Sequence, residues 1–302
     1  MKAVFLTAYG DVDKLELREV PDLTPGPGAL VVRMAGASIN PIDWKMRSGA
    51  TKAYFPVTFP AILGRDASGV VLAVGEGVTS FAVGDKVLGF VQGAYAEQVM
   101  AQVESWAKVP PGLDVADAGA LPLVLLTGAE LMERATNPSA GAKVLVTGAV
   151  GSVGRVAVHA AKLRGAKVWA GVRESQRPQA EELRAEGIVV LDDASGSAKA
   201  PVFDAIADTV GGDTVKNLFG KLKPGGTIGS VVGEPQGAKE RGFVVQAFMA
   251  KPDSALLEKY AREVAERRLL IPIAARFPLA QAGAAHLLAE KKHPHGKVLL
   301  LG

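Results

Sequence analysis

The 302-residue sequence contains no cysteine. Disulfides are therefore impossible, and thiol nucleophiles and thiolate metal ligands are excluded with them. Histidine is scarce: His159, His286, His293 and His295 are all there is. His293 and His295 have short, ligand-like spacing but no evident third ligand, so a surface loop is expected there. His159 is expected on a helix as a packing or solvent residue. Runs of one charge are missing too. The net charge is +3 with the two signs interspersed, which leaves no electrostatic footprint for nucleic acid. The pairs Lys291-Lys292 and Arg267-Arg268 read as solvated helix ends. No apolar stretch reaches the roughly 18 residues of a membrane span. The opening Met1–Leu6 segment is too short for a secretory signal and runs into a strand pattern. A soluble, cytoplasmic protein with no nucleic-acid or membrane partner is expected.

Apolar residues make up 48% of the chain and charged residues 22%, enough for a sizeable core. The length suggests about two domains. Residues 1–110 read as short strands, among them 29–37, 67–74 and 86–91, separated by turn formers such as Pro25-Gly26-Pro27-Gly28 and Gly75-Glu76-Gly77. Such a pattern predicts a small barrel or sandwich. Near residue 112 the pattern changes. Helices are expected over 115–126 and 128–136, with Asn137-Pro138 as a stop. Strands at 143–147, 167–172, 188–191, 203–208 and 226–232 then alternate with helices at 152–164, 177–186 and 214–222, which predicts a doubly wound parallel sheet. The tail offers a strand at 271–277, a helix at 279–290 and a strand at 296–301. That last strand either extends the parallel sheet or returns to the first domain. Residues 194–200 read as a surface loop.

The strand at 143–147 runs directly into Gly148-Ala149-Val150-Gly151-Ser152-Val153-Gly154, followed by helix. Strand, glycine turn and helix in this order form a dinucleotide cradle. One glycine permits the tight turn, one lets backbone approach a pyrophosphate, and one lets helix pack on strand. The helix N-terminus presents unpaired N–H groups and a positive dipole end to the phosphates. Ala149 and Val150 separate the first two glycines, so the second stands one position later than in the common fingerprint. A Walker-type loop is excluded, because no Lys-Ser/Thr pair follows. The next strand selects the cofactor. NAD binders place a carboxylate about 20 residues past the turn, but here the strand tip reads Gly171-Val172-Arg173, with Glu174 one residue late. Arg173 offers a permanently charged donor fork suited to a 2′-phosphate, and Gly171 is expected to leave room for it. NADPH is the expected cofactor.

The chain also resembles a known family. Asn40-Pro41-Ile42-Asp43 with Arg47-Ser48-Gly49, then Pro60…Gly64-Arg65-Asp66-Ala67-Ser68-Gly69-Val70-Val71, then Val83-Gly84-Asp85-Lys86-Val87 and Gly93-Ala94-Tyr95-Ala96-Glu97 stand in its order. Leu121-Pro122-Leu123, the 203–212 segment and His295-Gly296-Lys297-Val298 follow. These match zinc-independent medium-chain dehydrogenase/reductases of the quinone oxidoreductase branch. The resemblance implies an α/β protein: a GroES-like β-barrel domain from residues 1–115 plus 270–302, and a Rossmann doubly wound parallel-sheet domain from 116–269. It also implies NADPH held between the domains and a homodimer. Zinc-dependent relatives carry Gly-His-Glu where this chain has Gly64-Arg65-Asp66, so with no cysteine their zinc site is not expected here.

Without a metal to polarise a plain carbonyl, hydride delivery to an electron-poor quinone or α,β-unsaturated carbonyl is the expected chemistry. By resemblance, Asn40, Lys45 and Tyr54 lie over the nicotinamide. Asn40 would orient a polar group, Lys45 would bind the cofactor or steady the oxygen that gains charge, and Tyr54 would donate to the substrate carbonyl, unless these three are turn, surface and packing residues. Trp44 reads as a wall or core residue. Thr127 resembles a family threonine near the nicotinamide. Val231, Val232 and Gly233 would offer backbone groups to the carboxamide, Asp208 ends a strand at the ligand edge, and Lys297 would reach the cofactor from the tail. Asp66 and Asp85 read as structural, and the proton is left to water. An enoyl-thioester reductase and a non-catalytic NADPH-binding protein of crystallin or regulatory type are the competing functions.

Overall fold

The structure, a computed structural model, describes residues 1–292 and 294–302, without the side chains of Ala194 and Ser195. The loop reading of His293 lies outside them. The chain divides into two compact units, Met1–Leu123 with Lys251–Gly302, and Val124–Ala250. Sequence reading placed the cuts at 115/116 and 269/270.

In the first unit β1 (Lys2–Leu6), β2 (Leu15–Glu19), β3 (Ala29–Ile39), α1 (Pro41–Ser48), β4 (Ala61–Ile62), β5 (Asp66–Val74), β6 (Lys86–Phe90), β7 (Gln98–Gln102) and β8 (Trp106–Lys108) follow one another. β2-β1-β4 form one small sheet. The larger sheet has seven strands: β3, β5, β6, β7 and β8, together with two strands of the tail. Long β3 is its spine, pairing antiparallel with both β5 and β7. Its alternate residues Leu30, Val32 and Met34 enter a core with Val71, Val87, Tyr95 and Trp106, as a half-buried pleat requires.

The second unit begins in helix α2 (Pro122–Glu130), which runs on as a wider turn of helix to Thr136 and stops at Asn137 with φ +41°. The two helices expected across this stretch are thus one. Then come β9 (Lys143–Thr147), α3 (Ser152–Leu163), β10 (Lys167–Val172), α4 (Arg177–Glu181), β11 (Gly187–Val190), α5 (Ala194–Ala198), β12 (Phe203–Asp208), α6 (Gly212–Lys216), β13 (Leu222–Ser230) and β14 (Val244–Ala247). The short helix α5 replaces the expected loop at 194–200. All six strands are parallel, in the order β11-β10-β9-β12-β13-β14. This is the doubly wound dinucleotide order, whose direction reverses between β9 and β12. Val144, Leu145 and Val146 of β9 are fully buried on both faces, each worth about 1.5–3 kcal/mol.

The tail returns to the first unit. α7 (Ser254–Ala265), absent from the sequence reading, is capped by Asp253, whose side chain accepts from the Leu256 amide at 2.9 Å. β15 (Ile273–Pro278), α8 (Ala282–Leu287) and β16 (Lys297–Leu301) follow. β16 pairs antiparallel with β3, Val298 opposite Ile39, which settles the open question of where the last strand belongs.

Candidate functional site

The glycine turn lies at the carboxyl end of β9, at the reversal of strand order where open α/β sheets take ligands. The three glycines divide the work. Gly148 has φ +62°, and a Cβ there would meet Thr209 Oγ1 at 2.5 Å. Gly154 faces inward: a Cβ would stand 2.1 Å from the Gly148 carbonyl oxygen, so α3 sits on the turn only because that side chain is missing. Gly151 is exposed, and a Cβ there would touch only the Gly148 oxygen at 3.2 Å. It caps α3 in extended conformation with no side-chain cap bond. The first-turn amides of Ser152 and Val153 thus lack a capping side chain, as phosphate oxygens require. Arg155, not foreseen from sequence, fixes the outer limb. It is 7% exposed, and its Nε donates to the Val150 carbonyl at 3.0 Å.

A buried polar tie sets the strand ends. The Thr147 hydroxyl donates to Asp208 Oδ1 at 2.9 Å, and Ser230 Oγ donates to Asp208 Oδ2 at 3.1 Å. Asp208 Oδ1 also accepts the Val210 and Gly211 amides. Asp208 is fully buried, so its task is to splice β9, β12 and β13 rather than to present a carboxylate. Val231 N donates to the Asp208 carbonyl at 3.1 Å and Val232 N to Ser230 Oγ at 3.3 Å. The amides expected to face a carboxamide are therefore engaged, while Gly233 is exposed with φ +106°. Thr127 is 9% exposed on α2. Its neighbour Gly128 lets α2 approach α3, since a Cβ would meet Val156 at 2.5 Å.

At the tip of β10 the Arg173 side chain is exposed. Glu174 is bound to Arg177 through both oxygens, at 2.8 and 2.9 Å, and this pairing holds its carboxyl below the usual range. Gly171 does not make room for a phosphate: it is buried, with Leu191 and the Val146 carbonyl 3.0 Å from where a Cβ would be. It is a packing glycine of the sheet.

In the first unit, Pro41 opens α1, Asp43 Oδ2 accepts the Asn40 amide at 2.7 Å, and Gly49 ends the helix with φ +81°. Lys45 is exposed on this helix, and Trp44 packs against the core. Tyr54 is 85% exposed, which removes the packing alternative for it. Asn40 and Lys297 require correction. Asn40 is 1% exposed, its Nδ2 donating to Asp66 Oδ2 at 2.8 Å and its Oδ1 accepting from Lys297 Nζ at 2.5 Å. Lys297, 5% exposed, lies 3.7 Å from Asp66 Oδ2. Neither presents a free polar atom, because Asp66 is a buried charge that must be compensated. Ser38 Oγ at 2.5 Å and the Leu123 amide at 2.6 Å complete its shell.

Asp43 and His286 are buried beside this cluster. Burial pushes the Asp43 carboxyl up to about 7, against the Asn40 amide and the Tyr95 hydroxyl that favour its anion. Burial, and then Arg47, push His286 down to about 3. His286 is thus a neutral core residue facing Arg47, whose NH2 pairs with Glu290 at 2.8 Å. Among the described residues no group of three or more His, Cys, Asp or Glu could hold a metal ion, and none of the helices is long and apolar enough to cross a membrane.

Residues 26–111 match the family "Alcohol dehydrogenase GroES-like domain" and residues 183–300 match "Zinc-binding dehydrogenase". The zinc of the second family's name finds no fitting donor group among the described residues, and cysteine is lacking from the sequence. The chain is 29% identical over 326 residues to a chloroplast envelope quinone oxidoreductase homolog of Arabidopsis thaliana, covering 99% of this chain and 98% of that one. It is 28% identical over 341 residues to an acryloyl-coenzyme A reductase of Metallosphaera sedula, covering 99% of each. The solved quinone oxidoreductase of Coxiella burnetii superposes with a TM-score of 0.89 at 28% identity over 100% of this chain and 99% of that one. A mycobacterial structure complexed with NADPH gives 0.85 at 26% identity over 100% of each. A GroES-like unit joined to a parallel sheet with a nicotinamide-dinucleotide cradle, along the whole length of such relatives, makes this chain a member of the quinone oxidoreductase branch of the medium-chain dehydrogenase/reductase family.

Proposed function

We propose that the protein is a zinc-independent reductase that moves a hydride from NADPH to a quinone or an α,β-unsaturated carbonyl. The observation that carries this is the turn at 148–154: a glycine cradle at the reversal of sheet order, with an uncapped twelve-residue helix behind it. NADPH over NADH rests on Arg173, exposed at the tip of β10, and on Glu174, whose carboxylate Arg177 occupies. The nicotinamide, when bound, supplies the hydride. The chain supplies position: Gly148 and Gly154 fix the turn, Arg155 holds Val150, Gly151 admits the phosphates, and Asp208 fixes the strand ends. Thr127 and Lys45 are assigned to the nicotinamide side, Tyr54 to the acceptor. The alkene proton comes from water, since Asp43, Asp66 and His286 are buried in the core. We propose a cytoplasmic homodimer as its form, as the sequence resemblance implies.

An acyl-thioester acceptor is the second reading, supported by full-length similarity to an acryloyl-coenzyme A reductase. A panel of quinones, enones and enoyl thioesters, each offered with NADPH and with NADH, distinguishes these. Cofactor deuterated at the transferred position shows where the hydride lands. Tight NADPH binding with no oxidation by any acceptor would reject the enzyme and leave a binding protein.

A further inference from the structure

We propose that Arg65 is an acceptor-binding cation that selects electron-poor alkenes carrying a carboxylate close to the activating ketone. The proposal rests on the assignment of Tyr54, and with it the loop after α1, to the acceptor side of a hydride-transfer site.

The first observation is an uncompensated guanidinium. Arginines in folded proteins keep to solvent or pair with carboxylates, because withdrawing the charge from water is costly. Arg65 is partly buried, yet no described carboxylate lies within the 4.0 Å of an ion pair. Among the described residues its guanidinium has one hydrogen-bond contact and one ring contact. NH2 lies 3.8 Å from Met46 Sδ, and the guanidinium carbon lies 5.9 Å from the centre of the Phe55 ring. A thioether is a weak acceptor and an aromatic face a weak partner for a charge. Among the described residues, no oxygen accepts from any of its five N–H donors.

The second observation is that Arg65 is fixed in place. Gly64 before it has φ +100°, and a Cβ there would strike the Tyr95 ring at 2.6 Å. The Arg65 carbonyl accepts the Val91 amide at 2.9 Å, and the Leu63 carbonyl accepts the Tyr95 amide at 3.0 Å. Asp66 after it is held by Ser38, Asn40 and Leu123. The backbone is pinned on both sides, so the side chain starts from a fixed Cα and less of the chain has to be ordered when a ligand binds.

The third observation is the local charge balance. Lys45, next to Met46 in sequence, and Lys52 are exposed and also lack a carboxylate within 4.0 Å among the described residues. The acids nearby are committed: Asp43 is turned into the core onto Asn40 and Tyr95, and Glu290 holds Arg47. Arg65, Lys45 and Lys52 thus stand on one stretch of chain with no ion pair to a described carboxylate, and unpaired cations gather anions. A guanidinium packed on a ring presents its N–H fork in plane, matching the two oxygens of a carboxylate. The weak partners Met46 and Phe55 leave that fork to the ligand.

β-Acetylacrylate and its methyl ester form the test pair. In each, hydride adds to one alkene carbon, the C=C π bond breaks, and a proton from water completes the other carbon. The products are levulinate, or its ester, and NADP⁺. Arg65→Met is expected to lower the ratio of kcat/KM, acid over ester, by about ten-fold or more, the size of one charge-assisted hydrogen bond. Arg65→Lys keeps the charge without the fork and recovers part of that ratio. The KM for NADPH stays within about two-fold. An unchanged ratio, or a raised NADPH KM in its place, overturns the proposal. If wild type oxidises NADPH with no acceptor of the panel, the hydride-transfer reading fails by itself; if it only spares this pair, turnover does not report on Arg65. Calorimetric titration with levulinate then tests Arg65 separately: weaker binding to Arg65→Met upholds the anion site, and equal binding removes it.

Discussion

Lys297 Nζ donates to Asn40 Oδ1 at 2.5 Å, joining strand β16 of the tail to the end of β3 across 257 residues of sequence. Both side chains serve Asp66, to which Asn40 donates at 2.8 Å and beside which Lys297 stands at 3.7 Å. Burial pulls the Lys297 ammonium down, against Asp66 and Asp43, which favour its charge. Two residues that resemble site residues in sequence are therefore a clasp within the first unit.

Removing one partner of such a clasp leaves buried charge unpaired, at a cost of about 3–5 kcal/mol. Lys297→Met should lower Tm by about 5–10 °C, while the KM for NADPH stays within about two-fold of wild type. Thermal melts and initial rates on the same preparation check it. A normal Tm with a strongly raised cofactor KM would return Lys297 to the cofactor.

Gly151 and Gly154 differ in what surrounds them, and the two alanine variants should separate accordingly. A Cβ at Gly154 overlaps the Gly148 carbonyl at 2.1 Å, whereas at Gly151 it makes only a 3.2 Å contact on the exposed side. Gly154→Ala is expected to be destabilised by about 2 kcal/mol or more, in the range of overpacking. Gly151→Ala is expected to melt near wild type and to lose about ten-fold in NADPH affinity, as a methyl group intrudes on the phosphate approach. Equal melting temperatures for both variants would contradict this division of labour.

Arg173 gives a cofactor-specific prediction. Losing a hydrogen bond from a charged donor to a phosphate costs about 1.5–3 kcal/mol, or roughly 10- to 100-fold in affinity. NADH has no phosphate at that position. Arg173→Ala should therefore weaken NADPH by that factor and NADH by less than about three-fold, read by titrating each cofactor. An equal loss of both would remove Arg173 from the 2′-phosphate.

These cases also show which features the sequence exposes. Strands 143–147, 167–172 and 203–208 are found at their expected ends, because a parallel strand buried on both faces leaves an unbroken apolar run. The glycine turn is legible for a similar reason: its constraints are local. α7 was missed although its signal was present, with Asp253 as cap and Leu256, Leu257, Tyr260 and Ala261 buried on one face. β14 offered none, being a four-residue edge strand with mostly exposed side chains. The clasp of Asn40, Asp66 and Lys297 was illegible in principle, since it joins residues that only the returned tail brings together. Motif resemblance marked those positions as important and misassigned their task. Arg65 was legible as a departure from a zinc site, but its lack of an acidic partner is a fact of three dimensions.

The raised Asp43 carboxyl makes stability depend on pH with a definite sign. An acid whose folded pKa lies above its unfolded value favours the folded state most when protonated. That contribution is complete below about pH 4 and is lost as pH rises through about 7, where the folded group ionises. Its full size is on the order of 4 kcal/mol. Asp43→Asn keeps an oxygen for the Asn40 amide and the Tyr95 hydroxyl but cannot ionise. The melting temperature of Asp43→Asn relative to wild type should therefore climb between pH 4 and pH 7 and level off above. His286 acts in the opposite direction, contributing above about pH 6.5 and losing that contribution as pH falls toward about 3. It is common to both proteins, so the difference between their melting curves isolates Asp43. A flat difference across this window would mean that Asp43 is already ionised in the folded state at pH 4. The Tyr95 hydroxyl and the Asn40 amide would then outweigh its burial.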